Sequence, residues 1–291
     1  MRELRFVKTV EAIEEAEALD PLVSRVRSFV KAVVRPRAVR DVLHGVPVGH
    51  AVHPALVLVP IGSWIGSAIL DVFPGSERAS RVLVGAGVAT VLPSVVTGLT
   101  DWSELHEQQQ RVGLVHAAAN AAATGLYAVS FVQRSRGRQA SGRMFGLAGL
   151  AFVGLSGYLG GHLAYRQAAG ANHAEGVPHR FPAGWRPLGG LEEFAENEPV
   201  RRIVDGVAVL VVRRGADVDV LANGCSHLSG PLDEGELVEV AGESCIECPW
   251  HESVFALSTG EVVHGPATAP QPSFDTRVIG GEVEIMLPGA G

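Results

Sequence analysis

The sequence predicts a multi-domain chain, an all-α four-helix transmembrane bundle followed by a small all-β domain, and three observations carry that prediction. Four apolar runs succeed one another between residues 51 and 165. After residue 184 the texture changes to short β-rich runs, such as Val207 to Val212 and Val278 to Met286, set between Gly, Asp and Pro turns. Charge divides unevenly, with 18 Asp and Glu against 6 Lys and Arg in residues 185–291, a net −12, and +5 upstream. Apolar residues form 47% of the chain and the mean hydropathy is +0.22, high for a water-soluble protein.

Residues 1–50 read as an amphipathic helical segment. An acidic stretch over 8–19 precedes Leu22, Val26, Phe29 and Val33, which repeat at helical spacing with Arg25, Arg27, Lys31 and Arg35 interleaved. Such a helix suits an anionic membrane surface, and it equally suits a solvated helix packed on the bundle. The apolar runs, approximately 51–71, 82–100, 112–132 and 144–164, each approach the ~20 residues a membrane helix needs and define a domain over 51–165. Gly85-Ala86-Gly87 and the glycines from Gly157 to Gly161 allow close helix approach, and Pro60 and Pro93 are expected to kink their helices. A buried water-soluble bundle is the competing fold, but four such runs without a polar face leave no surface for water. Residues 166–184, with Gly170, Gly176, Pro178, Pro182 and Gly184, read as a linker to the β domain at 185–288.

All three cysteines lie between residues 225 and 248, which disfavours a disulfide framework and favours a metal site. Cys225-Ser226-His227 and Cys248-Pro249-Trp250-His251 each offer a thiolate and an imidazole. Such a set can bind two irons, one through Cys225 and Cys248 and the other through His227 and His251. One zinc ion could also take four such donors, but zinc does not require the residues around them. Those residues are Gly230-Pro231-Leu232, Phe255, Thr259-Gly260 and the run from Gly265-Pro266-Ala267 to Pro270. With them, the C-terminal part resembles the Rieske ferredoxin-like domain. The resemblance implies a small β-sandwich with a 2Fe-2S cluster at its tip, the 265–270 loop packed over the cluster, and transport of single electrons.

Departures from the family pattern bear on the potential. Gly230 and Trp250 stand where cytochrome bc-type members carry an additional cysteine pair, so no disulfide ties the ligand loops. Phe255 replaces a tyrosine whose hydroxyl can donate a hydrogen bond, and Glu252 stands where glycine is common; both imply a potential toward the low end of the Rieske range, against which Ser253 could still donate. A low potential favours a ferredoxin, a flavoprotein reductase or an oxygenase as redox partner over quinol. The acidic domain suggests a basic docking surface on that partner, unless its charge serves only solubility. Cys245 and His264 fall outside the ligand pattern and read as a small structural residue and a loop histidine.

In the bundle, His53 opens the first run, Asp101 and His106 follow the second, His116 lies about one turn into the third and His162 near the end of the fourth. Tracing the crossings places all of them at one membrane level. His53, His116 and His162 are therefore candidates for a haem or quinone site, or else interfacial groups bonded to water and helix ends. His53-Pro54, Asp71, Asp101, His116 and His162 also resemble a bacterial family of uncharacterised four-helix membrane domains over residues 40–165, which supplies no established chemistry.

Four crossings put both ends on one side. Arg78, Arg81, Arg134, Arg136, Arg138 and Arg143 on one face offset Lys31, Arg35, Arg37 and Arg40 on the other, so charge does not choose the side. The Met1-Arg2-Glu3-Leu4-Arg5 start lacks a secretory signal, and the expectation is a multi-pass cell-membrane protein with the β domain on the cytoplasmic side. Three functions follow: an anchored electron carrier, a membrane oxidoreductase with haem or quinone in the bundle coupled to the cluster, or a zinc-stabilised interaction domain on an anchor. No nucleophile triad, phosphate loop, paired catalytic carboxylates or mononuclear iron domain stands out. Oxygenase activity of its own and a nucleic-acid partner are not expected.

Overall fold

A computed structural model describes residues 5–289, and the chain divides into two compact units, Met1–Arg35 with Val52–Ala169, and Pro36–Ala51 with Gly170–Gly291. The helices in chain order are α1 (Arg5–Glu14), α2 (Asp20–Val33), α3 (Arg37–His44), α4 (His53–Leu56), α5 (Leu58–Leu70), α6 (Glu77–Trp102), α7 (Glu107–Ser135), α8 (Gln139–Gly161) and α9 (Val177–Arg180); α8 runs on into a π-helical turn at His162–Arg166. Of these, α3 and α9 belong to the second unit.

Four helical stretches in the first unit are long and apolar enough to cross a membrane: His53–Leu70, Glu77–Trp102, Glu107–Ser135 and Gln139–Arg166, of 18, 26, 29 and 28 residues. The two prolines act differently. Pro60 has no N–H for the Leu56 carbonyl, and the helix breaks there into α4 and α5, whereas α6 runs unbroken through Pro93. The interior of the unit mixes an apolar core of Trp64, Val84, Ala123, Tyr127 and Val153 with small polar residues, Ser67, Ser80, Thr97, Ser130 and Ser156, while Leu58, Ile69, Leu92 and Leu147 are exposed. Large apolar side chains thus lie outward as well as inward, and small buried residues let the helices approach closely. Trp64 stacks on Tyr127 at 4.2 Å between ring centroids. Arg134, 1% exposed, forms a two-pronged pair with Asp71 (2.7 and 2.6 Å) and also donates to the hydroxyls of Ser80 and Ser130.

The stripe expected to be the apolar face of α2, Leu22, Val26, Phe29 and Val33, is not the buried edge. Val23 and Val30 are buried at 4% and 6%, while Leu22, Phe29 and Val33 remain 50%, 68% and 63% exposed. Arg111 of α7 grips the Asp20 carboxylate at the helix start with two bonds, and Lys31 pairs with Glu104 near its end. The helix thus packs on the bundle by one edge and presents Leu22, Phe29 and Val33 outward.

The second unit is built on two antiparallel sheets. Its strands are β1 (Arg186–Gly190), β2 (Val200–Val204), β3 (Val207–Arg214), β4 (Asp217–Ala222), β5 (Glu236–Val240), β6 (Glu243–Glu247), β7 (Val254–Ala256), β8 (Val262–His264), β9 (Ser273–Ile279) and β10 (Glu282–Met286). The larger sheet has the order β1-β10-β9-β4-β3-β2 and the smaller β5-β6-β7-β8. The near-continuous apolar run of β3 follows from burial on both faces: Val207, Val209 and Val211 enter one core, and Leu210 and Val212 enter a second. The second core contains Cys225 and Cys248, so the larger sheet supports the ligand loops directly. Within the stretch read as a linker, α9 puts Val177 (6% exposed) and Phe181 (3%) into the first core, with Phe181 edge-on to Phe274. An i, i+4 apolar pair on a single turn is too short a signal to stand out among glycines and prolines.

Candidate metal centre

Two loops of matching design carry the four predicted ligands. The first leaves β4 and the second joins β6 to β7. In the first, the Cys225 N–H donates to Gly230 O and the Ser229 N–H returns to Cys225 O, both at 2.8 Å; in the second, the Cys248 N–H donates to Ser253 O (2.8 Å) and the Glu252 N–H to Cys248 O (3.1 Å). Each loop turns at the fourth residue after its cysteine, where Ser229 has φ +62° and Glu252 φ +61°. The left-handed backbone accounts for the frequency of glycine at the Glu252 position.

The loops bring Cys225, His227, Cys248 and His251 together. Both thiols are buried, and the two imidazole rings meet edge-to-face with centroids 5.0 Å apart. The thiols lie close enough to share a proton. Hydrogen bonding to Cys225 brings the Cys248 thiol down to about 7, against the effect of its own burial and with help from the Trp250 and His251 N–H groups. The same bond, followed by burial, raises Cys225 well above the ordinary thiol range. The pair therefore holds its first negative charge more readily than its second.

The donors form a thiol pair and an imidazole pair. By donor chemistry two thiols and two imidazoles fit a binuclear iron–sulfur cluster with two protein ligands per iron.

Several residues that brace the loops were not anticipated from the sequence. Gln271, 1% exposed, donates from Nε2 to the carbonyls of Ala222 and Gly224, both at 2.6 Å, and accepts the Ser226 N–H at 3.0 Å. Asn223 bonds the Asp233 carboxylate and accepts the Asp233 N–H. The Ser253 hydroxyl accepts the Ala267 N–H at 3.0 Å, fixing the proline-containing loop, and Ser226 Oγ donates to Ala269 O. No single-sequence signal marks a glutamine for this work, because its three partners are backbone groups.

Gly230 and Trp250 face each other across the two loops. A Cβ at Gly230 would sit 2.8 Å from Cys248 Sγ and 3.1 Å from the Trp250 ring, so the indole occupies the space a side chain there would fill. Phe255 is fully buried beside Ile246 and Leu257. Cys245 is buried on β6, its thiol raised by desolvation. His264 ends β8 and bonds Asp41, a partner far away in sequence.

The bundle histidines are engaged within their own unit. His53 Nδ1 bonds Ser94 O at 2.8 Å. His116 donates from Nδ1 to Ser156 O at 2.9 Å, and its Nε2 accepts from Asn120 at 3.0 Å, which defines the Nδ1–H tautomer. His162 Nε2 meets Glu14 Oε1 of α1 at 2.5 Å.

Comparison with known proteins agrees with both halves. Residues 184–275 match the "Rieske 2Fe-2S domain" family and residues 49–173 the family "Predicted membrane protein (DUF2231)". The anthranilate 1,2-dioxygenase ferredoxin subunit of Burkholderia cepacia is 33% identical over 105 residues, covering 36% of this chain and 94% of that protein. The 3-phenylpropionate/cinnamic acid dioxygenase ferredoxin subunit of Escherichia coli is 32% identical over 100 residues, 34% of this chain and 91% of that protein. Among solved structures, the ferredoxin of carbazole 1,9a-dioxygenase from Nocardioides aromaticivorans shares 32% identity over 36% of this chain and 99% of its own, with a TM-score of 0.33.

Proposed function

Because the chain belongs to the Rieske 2Fe-2S family through its C-terminal domain and carries a membrane-family domain upstream, we propose that it is a membrane-anchored carrier of single electrons. The observation that carries this reading is the convergence of two thiols and two imidazoles on matching loops. Cys225 and Cys248 hold one iron and His227 and His251 the other, and the bound cluster supplies a one-electron couple at the imidazole iron. The protein's part is to keep the thiolates dry, to hold the loops at fixed spacing through Gln271 and Ser253, and to leave His227 and His251 partly open to a partner.

Phe255 brings no hydroxyl to the site and Glu252 adds a negative charge beside His251, which supports a potential low in the family range. The Ser253 hydroxyl proton stays available to the cluster because Ser253 Oγ acts as acceptor toward Ala267. The described function of the Burkholderia relative, a dioxygenase ferredoxin subunit, favours exchange with a flavoprotein reductase, a ferredoxin or an oxygenase. The hydrogen bonds of His53, His116 and His162 favour a passive anchor over a bundle that binds haem or quinone, since Nε2 of both His116 and His162 is already engaged. We place the β domain on the cytoplasmic face, with α2 along the membrane surface through Leu22, Phe29 and Val33.

The test is a reduced-minus-oxidised absorption spectrum of the full chain in detergent, with iron and acid-labile sulfide assayed alongside. The expected result is iron–sulfur bleaching without haem bands, lost in Cys248→Ser. Zinc in place of iron, or a protein that stays colourless after reconstitution, overturns the reading.

A further inference from the structure

The segment that precedes the first apolar helix in sequence folds with the β domain. α3 and the turn after it, within Pro36–Ala51, belong to the second unit, and their contacts converge on the two loops that frame the second pair of ligands. Arg37 Nη2 donates to the Glu252 carbonyl at 2.8 Å, the peptide next to His251, and to the Glu247 carboxylate at 3.0 Å, the residue before Cys248. Arg40 lies 3.6 Å from the Glu252 carboxylate. Asp41 takes the Gly265 N–H on one oxygen at 3.0 Å and His264 Nδ1 on the other at 2.8 Å. His44 is buried, and a Cβ added at Gly265 would meet Val46 Cγ2 at 2.9 Å and His44 Cβ at 3.6 Å. Arg37, Arg40, Asp41 and His44 follow the i, i+3, i+4, i+7 spacing of one helix face. The polar face of α3 is therefore its docking face, and Val39 and Val42 point outward at 47% and 61% exposure.

We propose that α3 is a strap that positions and electrostatically tunes the cluster, with Arg37 and Asp41 as opposed positioning residues. The inference rests on the cluster reading above and adds to it a device supplied from outside the matched Rieske segment at residues 184–275. The Burkholderia relative is matched over 94% of its own length by 105 residues of this chain, which leaves no room for a counterpart of Pro36–Ala51. Arg37 places a positive charge and a donor on the carbonyl of Glu252, the residue after the ligand His251, and offsets Glu247 and Glu252; this favours the reduced cluster, which carries one more negative charge. Asp41 fixes the start of the proline loop and opposes reduction with its own charge.

The experiment uses the full chain in detergent, titrated by electron paramagnetic resonance and visible absorption, with Arg37→Ala, Arg37→Lys and Asp41→Asn as variants. All three are expected to keep the iron and sulfide of the parent. At the parent's midpoint potential, Arg37→Ala should lower the reduced-to-oxidised ratio several-fold, Arg37→Lys should recover part of that loss, and Asp41→Asn should raise the ratio. Shifts of opposite sign separate electrostatic tuning from loosening of the site, which would move Arg37→Ala and Asp41→Asn the same way. Unchanged ratios, or shifts of one sign, overturn the strap; a parent that holds no iron–sulfur cluster instead overturns the reading beneath it.

Discussion

Gln271 is the residue whose removal should cost the cluster most without touching a ligand. Its amide satisfies three buried backbone groups at once: the carbonyls of Ala222 and Gly224 and the N–H of Ser226, the residue between ligands Cys225 and His227. Gln271→Ala removes the partner of all three, two of them in buried bonds and one in a part-buried bond. At about 1 kcal/mol for each lost bond, the first ligand loop is weakened by about 3 kcal/mol. At about 1.4 kcal/mol per tenfold, this amounts to about a hundredfold in the opening equilibrium of that loop. The assay is the rate at which iron–sulfur absorption bleaches in the full-length protein under excess chelator. Gln271→Ala should accelerate bleaching by about two orders of magnitude and Ser226→Ala, which removes only the bond to Ala269, by about fivefold. A Gln271→Ala protein with full iron content that bleaches within threefold of the parent would refute the reasoning, because release would then not pass through the first loop.

In the metal-free protein, Cys248 should ionise near pH 7. Its lowered thiol contributes stability that is present above the unfolded thiol range and lost as pH falls through about 7; Cys225, raised, acts in the opposite sense at high pH. Thiolate ultraviolet absorbance should therefore rise by one thiol near pH 7 and by the two raised thiols, Cys225 and Cys245, at higher pH, and Cys248→Ser should abolish the first rise. Replacing Arg134 by Met leaves Asp71 without its two-pronged partner and should cost about 3–5 kcal/mol in detergent, read as a lowered thermal midpoint; pairing it with Asp71→Asn should recover much of the loss. Glu252→Gly removes a non-glycine residue from φ +61°, worth about 1 kcal/mol, and a negative charge near His251. That variant should gain stability toward urea and become easier to reduce, and a loss of stability would show that the Arg40 contact outweighs the backbone term.

The four apolar helices and the Rieske character of the C-terminal part were legible because their signals are local or periodic. Twenty-residue apolar runs admit few alternatives, and Cys-x-His with Cys-x-x-His carries its chemistry in the spacing. Proline was harder to read: Pro60 breaks its helix near the start, where one lost bond separates a short first segment, while Pro93 lies deep in α6 with turns on both sides to hold it. The face of α2 was legible only in part, since periodicity gives a stripe without saying which edge meets the protein; Val23 and Val30 took that place. What the sequence does not disclose are pairs held by tertiary structure alone. Asp41 and His264 are 223 residues apart, and His264 looks like a loop histidine until its partner is known.

That separation also has a consequence for biosynthesis. At ~5–20 residues per second, a ribosome that has made Asp41 reaches His264 only after roughly 10–45 s, with every apolar helix translated in between. On the proposed membrane anchor, the α3 strap has to wait, and to wait in the compartment where the β domain will emerge. Only an even number of crossings between residues 51 and 170 brings the two into one compartment. A chain that inserted three of its four helices would strand α3 across the bilayer from its loops, with Glu247, Glu252 and His264 left without their strap partners. On the proposed anchor and strap, docking of α3 therefore requires that the apolar helices were threaded in even number.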